Sequence, residues 1–257
     1  MKRTVLRTAL MVSLAVGGIS TLHLDAQNRP LNTPPPGFSA LFNGKDLSGW
    51  RGRKPNYNPQ DEQRTMTKDE VAALQKVWNA ERDLHWKVDV AKGEIVSDGN
   101  SPHLATAVDY ADFEMWVDWL MVSPNGDSGI YLRGYPQVQI WDPANPREQR
   151  NGADKGSGAL WNNNPDTPGR FPLVKADNPI GQWNTLRIRL VGQKVSVWLN
   201  DRQTVDEQVM DNYFDPATPH VKPLLAKGPI ELQTHGSEIR FRNIYIREIP
   251  AAAGAAR

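Results

Sequence analysis

The chain has no cysteine among its 257 residues. That excludes a disulfide framework, thiolate nucleophiles, cysteine-bound zinc and lipid attachment through sulfur. Other signatures are missing too. No Gly-rich phosphate loop opens a helix, and there is no Gly-x-Ser-x-Gly elbow. The histidines are His23, His85, His103, His220 and His235, and none forms the His-x-x-x-His pair of a helical zinc site. His85 and His103 stand alone and read as loop or surface residues. Formal charge is +1 with both signs interspersed, so a nucleic-acid partner, which needs a concentrated basic face, is not expected. Phenylalanine is scarce beside tryptophan, six against nine. Indoles fill β cores and also stack on sugar rings, so this balance admits both uses.

Long apolar runs are absent as well. The stretch from Ala9 to Ile19 is short for a membrane span. It follows Lys2, Arg3 and Arg7 and precedes Leu24-Asp25-Ala26, which is the layout of an export signal cleaved after Ala26. Residues 1–26 are therefore expected to be a signal peptide. The mature protein is expected in the periplasm or the medium, with no membrane span left. Residues 27–37, with Pro34-Pro35-Pro36, read as an extended linker. Residues 38–249 read as one domain, and 250–257 as a fraying tail.

What is present is mostly strand. Phe113, Met115, Val117 and Trp119 alternate with Glu114, Trp116 and Asp118. Segments 128–133, 137–141, 183–191, 194–199 and 203–209 follow, with turns at Gly192-Gln193 and Asn200-Asp201. Gly228 to Arg247 reads as two strands joined at His235-Gly236. Ile230, Leu232 and Thr234 point one way there, and Glu231, Gln233 and His235 the other. One insertion, 51–84, breaks the pattern. Its Thr67-Lys-Asp-Glu70 is a capping box, and Val71, Leu74 and Trp78 recur at helical spacing, which predicts a helix from Lys68 to about Asp83. It packs on the sandwich or lies as a lid over a binding face. The loop 142–178 is long enough to be functional or mobile. About a dozen short strands with one helix point to an all-β, two-sheet antiparallel jelly roll.

Polar faces recur on four strands: Glu114, Trp116 and Asp118; Tyr131 and Arg133; Gln137 and Gln139; Glu231, Gln233 and His235. If these strands share a concave sheet, carboxylates, a guanidinium, an imidazole and aromatic rings converge, as a carbohydrate site requires.

Several segments carry a family resemblance. They are 37–50 (GFSALFNGKDLSGW), 112–119 (DFEMWVDW), 126–134 (GDSGIYLRG), 138–142 (VQIWD), 158–161 (GALW), 181–185 (GQWNT) and 228–246. In this order they resemble the 3-keto-disaccharide hydrolase domain family. The resemblance implies a concanavalin-like jelly roll, export from a bacterial cell, and action on sugars oxidised at carbon 3. The family often has Asn where Asp127 stands and Glu where Gln137 stands. The 51–84 insertion also looks longer than is usual there.

Such a substrate suggests elimination followed by hydration, with His235 as base, Arg133 stabilising the enolate, and Asp118 or Glu231 orienting His235 or protonating the leaving oxygen. A divalent cation held by Asp118, Glu231 and His235 could instead polarise the ketone. A direct two-carboxylate mechanism would use Glu114 with Asp118 or Glu231. Glu114, Trp116, Tyr131, Gln137, Gln139, Asp142, Trp161 and Gln233 complete the candidate site as substrate-binding residues. Two other classes fit the same chain, a non-catalytic carbohydrate-binding module and an envelope scaffold domain.

Overall fold

The computed structural model describes residues 29–55, 65–134, 136–211 and 225–250. The expected signal peptide, the tail from 251 and His220 lie outside the described residues. The chain divides into two compact units, Met1–Pro30 and Leu31–Arg257. Of the first, only Arg29 and Pro30 are described.

In chain order the second unit runs β1 (Ser39–Ala40), β2 (Trp50–Arg53), α1 (Lys68–His85), β3 (Trp86–Asp89), β4 (Glu94–Ser97), β5 (His103–Thr106) and β6 (Phe113–Met121). There follow β7 (Asp127–Tyr131), β8 (Gln137–Trp141), two 3₁₀ turns at Gln149–Asn151 and Ala153–Lys155, then β9 (Asn184–Val191), β10 (Lys194–Leu199), β11 (Arg202–Val209), β12 (Glu231–Leu232) and β13 (Ile239–Glu248). The strands form two antiparallel sheets. The larger has the order β11-β10-β9-β6-β13-β4-β3, with β1 also paired to β13. The smaller has the order β2-β5-β12-β7-β8. This is the jelly-roll sandwich that the strand pattern predicts.

The core lies between the sheets because each strand alternates. Phe113, Met115 and Val117 of β6, Leu186, Ile188 and Leu190 of β9, and Phe241 of β13 have no exposed surface. From the smaller sheet Leu104, Ile130, Val138, Ile140 and Leu232 meet them, also fully buried. Each such side chain contributes roughly 1.5–3 kcal/mol through burial.

Two expectations change. The turn at His235-Gly236 does not close a hairpin. β12 belongs to the smaller sheet and β13 to the larger, so the turn carries the chain across the sandwich. Likewise β6 lies in the larger sheet, apart from β7, β8 and β12. Alternation with a period of two tells which residues share a side; it does not tell which sheet a strand joins.

The helix runs two residues further than predicted, and its capping box forms, with Thr67 Oγ1 accepting from Glu70 N–H and Glu70 accepting from Thr67 N–H. Only Trp78 is buried. The helix seats on the outer edge of β2. Asn79 Oδ1 accepts from Gly52 N–H at 3.0 Å, Gln75 Nε2 donates to Gly52 C=O at 2.8 Å, and Arg82 donates to Trp50 C=O at 2.7 Å. The approach requires glycine: a Cβ at Gly52 would stand 2.0 Å from the Trp78 carbonyl oxygen. At the opposite border, Gln139 N–H donates to Ala159 C=O and Gly158 N–H to Gln139 C=O, so the 158–160 segment runs beside β8.

Candidate functional site

Cross-strand register places the polar residues of the smaller sheet in rows on its outward face. Arg51, Ala105, Glu231, Tyr131 and Gln137 stand side by side in one row. The next row holds Arg53, His103, Gln233, Gly129 and Gln139. A third brings His235 beside Asp127, which pairs with Trp141.

The face is polar yet deeply covered. Arg53, His103, Glu231, Tyr131, Gln137, Gln139 and Gln233 are all buried. Glu231 lies between two cationic or ionisable partners: Arg53 Nε is 2.9 Å from Oε1, and His103 Nδ1 is 3.4 Å from Oε2. Side chains on both sides of this ion pair are 1–2 % exposed. Burying such a pair carries a desolvation penalty that hydrophobic residues of like volume would not incur, so it argues for use more than for stability. His103 stacks on Tyr131, with centroids 5.3 Å apart and planes at 20°. Gln233 Nε2 donates to the Tyr131 hydroxyl at 3.3 Å. Burial pushes the Tyr131 phenol far above its ordinary range, and the charges of Glu231 and Asp127 push the same way, so it stays protonated.

A chain of hydrogen bonds crosses the other half of the face. Gln137 Nε2 donates to Gln139 Oε1 at 2.7 Å, and Gln139 Nε2 to Asp127 Oδ1 at 2.6 Å. The second oxygen of Asp127 lies 2.9 Å from Nδ1 of His235. An ionised carboxylate only accepts, so it holds both amides in one orientation and directs the Nδ1 proton toward itself. The Nε2 of His235 is then the basic nitrogen. His235 is the exposed member, its side chain 59 % accessible, against 15 % for Asp127. The hydrogen bond to Asp127 raises the His235 pKa; partial burial opposes it, and the charges of Asp127 and Glu148 reinforce it.

The loop after β8 closes this end. Trp161 meets Trp141 edge-on at 6.1 Å and donates to the Asn151 carbonyl, while Asn151 donates to Glu148 Oε2 at 2.6 Å. Arg170 lies over the Trp161 ring at 5.0 Å.

The structure thus brings together His235, Glu231, Tyr131, Gln137, Gln139 and Gln233, and sets Trp161 at their border. It does not bring in five others. Asp118, Glu114 and Trp116 lie on the outer face of the larger sheet. Asp118 accepts from Thr185 and Asn243, and burial outweighs these bonds and the Arg242 charge, raising its pKa. Burial also opposes ionisation of Glu114, but its bonds to Arg187 and Arg247, each 2.7 Å, outweigh it and lower the pKa. Trp116 meets Phe38 edge-on at 6.4 Å.

Arg133 does not share the side of Tyr131. Its φ of 53° breaks the alternation just past β7. Its guanidinium is spent on the carbonyls of Ala111, Gly192 and Leu225 and on Asp112 Oδ1. Asp142 is a turn residue, accepting from Ala144 N–H and Asn125 N–H. The cation set Asp118, Glu231 and His235 is split between sheets, and among the described residues no three His, Asp or Glu side chains gather to hold a metal.

Several residues of the face were not expected there, Arg51 among them. His103 is a buried strand residue and not a loop or surface one. Arg53 sits in a segment that reads as non-β, although alternation does continue past Trp50. Asp127 stands out in the sequence only as a departure from the family pattern.

Comparison with known proteins gives a consistent picture. Residues 37–247 match the 3-keto-alpha-glucoside-1,2-lyase-like domain. A Bacteroides thetaiotaomicron protein named 3-keto-disaccharide hydrolase is 24 % identical over 268 residues, covering 89 % of this chain and 83 % of that one. Two solved structures from Parabacteroides distasonis, both of candidate glycosyl hydrolases, share the fold. One has a TM-score of 0.59 at 21 % identity, covering 86 % of this chain and 100 % of its own. The other has 0.58 at 25 %, covering 84 % and 86 %.

Proposed function

Because the chain belongs to the 3-keto-alpha-glucoside-1,2-lyase-like domain family, we propose that it is an exported enzyme that cleaves the glycosidic bond of 3-keto-glucosides. The observation that carries this reading is the His235–Asp127 pair, an exposed imidazole backed by a carboxylate at the border of a buried polar face.

The chemistry follows from the ketone. A carbonyl at carbon 3 acidifies the proton on carbon 2. Nε2 of His235 takes that proton, and the electron pair moves onto the carbon 3 oxygen as an enolate. The enolate collapses, the bond from carbon 1 to the glycosidic oxygen breaks, and the leaving alcohol takes up a proton. Water then adds across the new double bond between carbons 1 and 2, so one water is consumed and hydrolysis is the net result. Arg53, rather than Arg133, is the buried cation of this face and is suited to the developing enolate charge. Tyr131 stays a neutral phenol and suits a hydrogen-bonding role. Asp127, rather than Asp118 or Glu231, is the residue that orients His235. No step is assigned to a metal, since the expected donor set is divided.

The test is incubation of the protein with 3-keto-trehalose, with and without chelator, alongside His235→Ala. Release of glucose and 3-keto-glucose by wild type, lost by at least about 100-fold in the variant, supports the reading. Sugar binding with no turnover would instead identify a binding module.

A further inference from the structure

Hydration of the unsaturated sugar requires a water to lose a proton as it bonds to carbon 1. An ionised carboxylate with a free oxygen is suited to take it. Three carboxylates on or beside the face have no oxygen to spare. Asp127 commits one to Gln139 and the other to His235. Asp142 accepts from the N–H groups of Ala144 and Asn125, one on each oxygen. Glu231 meets Arg53 with one oxygen and His103 with the other, and is 1 % exposed.

Glu148 differs. It stands in the loop after β8, half-buried and reached by solvent. Its Oε2 accepts from Asn151 Nδ2 at 2.6 Å, while among the described residues no donor meets its Oε1. The backbone is fixed as well: Glu148 N–H donates to Asn145 C=O, and Glu148 C=O accepts from the N–H groups of Asn151 and Ala153. The Asn151 carbonyl accepts from the Trp161 indole at 2.9 Å, and Trp161 packs on Trp141, the cross-strand partner of Asp127. This run of contacts ties Glu148 to the end of the sheet where His235 stands. The two groups also act on each other. Beyond the hydrogen bond to Asp127 and the burial that opposes it, the charges of Asp127 and Glu148 raise the His235 pKa.

We propose that Glu148, held by Asn151, is the base that activates water in the second half of the reaction. This rests on the 3-keto-glucoside reading above. In the first half, Nε2 of His235 takes the proton from carbon 2. The imidazolium passes it to the glycosidic oxygen as the bond to carbon 1 breaks, so His235 ends neutral and carbons 1 and 2 share a double bond. In the second half, Oε1 of Glu148 takes a proton from water while the water oxygen bonds to carbon 1. The electron pair of the double bond moves onto the carbon 3 oxygen as an enolate. The Glu148 proton then goes to carbon 2 as the enolate collapses. One water is consumed and both side chains return to their starting state. Glu148 thereby decides between hydrolysis and plain elimination.

The test is chemical quench of 3-keto-trehalose turnover by wild type and Glu148→Gln, with both products identified by NMR. Glutamine keeps an oxygen for Asn151 and cannot take a proton from water. Wild type should give glucose and 3-keto-glucose. Glu148→Gln should still release glucose, but its partner should accumulate as the unsaturated 2-hydroxy-3-keto sugar, free or bound, with hydration slower by about 100-fold or more. Azide, a nucleophile with no proton to lose, should add to carbon 1 in Glu148→Ala and clear that intermediate. A variant that gives only 3-keto-glucose, however slowly, overturns the proposal, because a merely structural role lowers the rate without changing the product. If wild type releases no glucose, the 3-keto-glucoside reading fails, and this inference with it.

Discussion

Oδ2 of Asp127 lies 2.9 Å from Nδ1 of His235, and Oδ1 of the same carboxylate is held by Gln139. The aspartate is thus fixed at both ends. Its hydrogen bond raises the imidazole pKa, so the free base forms only above the ordinary histidine value. For turnover of 3-keto-trehalose, the acid limb of kcat/KM should lie above about pH 6.5. Asp127→Asn removes the charge, so the limb should move to lower pH while the plateau falls by about 100-fold or more. A pH–rate profile of the two proteins checks both signs.

Arg133 is a clamp. Its guanidinium ties the end of β7 to Ala111 and Asp112, to the turn at Gly192 and to Leu225. Arg133→Met should cost about 2–4 kcal/mol, because several acceptors lose a charged donor. Arg133→Lys should recover little of this, since an ammonium cannot span the same fork. Urea midpoints measure the loss, and the folded fraction should keep wild-type kcat/KM.

The outer face of the larger sheet should be kinetically silent. Glu114→Gln and Asp118→Asn are expected to leave kcat/KM within roughly twofold, as for substitutions away from the chemistry. Asp118 also carries a stability signature. Its folded pKa is raised, so its contribution is fully present below the unfolded aspartate value and is lost as pH rises through the folded one. Asp118→Asn removes that dependence. The variant should therefore gain on wild type as pH increases, which urea midpoints from about pH 4 to 8 would reveal.

Gly52→Ala tests the seat of the helix. A methyl group at that position meets the Trp78 carbonyl, a backbone group that cannot turn aside. A loss of about 1–3 kcal/mol is expected, with α1 becoming the first site of limited proteolysis.

Much of the fold was legible because alternation is strong where one side is buried. The inward residues of β6 and the turns at Gly192 and Asn200 are plain in the chain. Sheet membership was not legible. Glu114 and Asp118 look like partners of His235 until β6 is seen to pair with β9 and β13. The turn at Gly236 carries the same residue signature whether it closes a hairpin or crosses between sheets. Arg133 misled for a different reason: one left-handed residue reverses the side chain, and sequence spacing cannot show that. His103 hid in the short strand His103–Thr106, which has no polar alternation of its own. Asp127 could have been found by asking which carboxylate lies across the sheet from His235 once β12 and β7 are paired.

Both borders of the smaller sheet are occupied, β2 by the amides of Gln75 and Asn79 and β8 by the 158–160 segment. Among the described residues, no row of unpaired backbone groups is offered there to another chain. The protein should consequently resist templated fibril growth from this side even at high concentration, and an intruding peptide strand would find no ladder to extend.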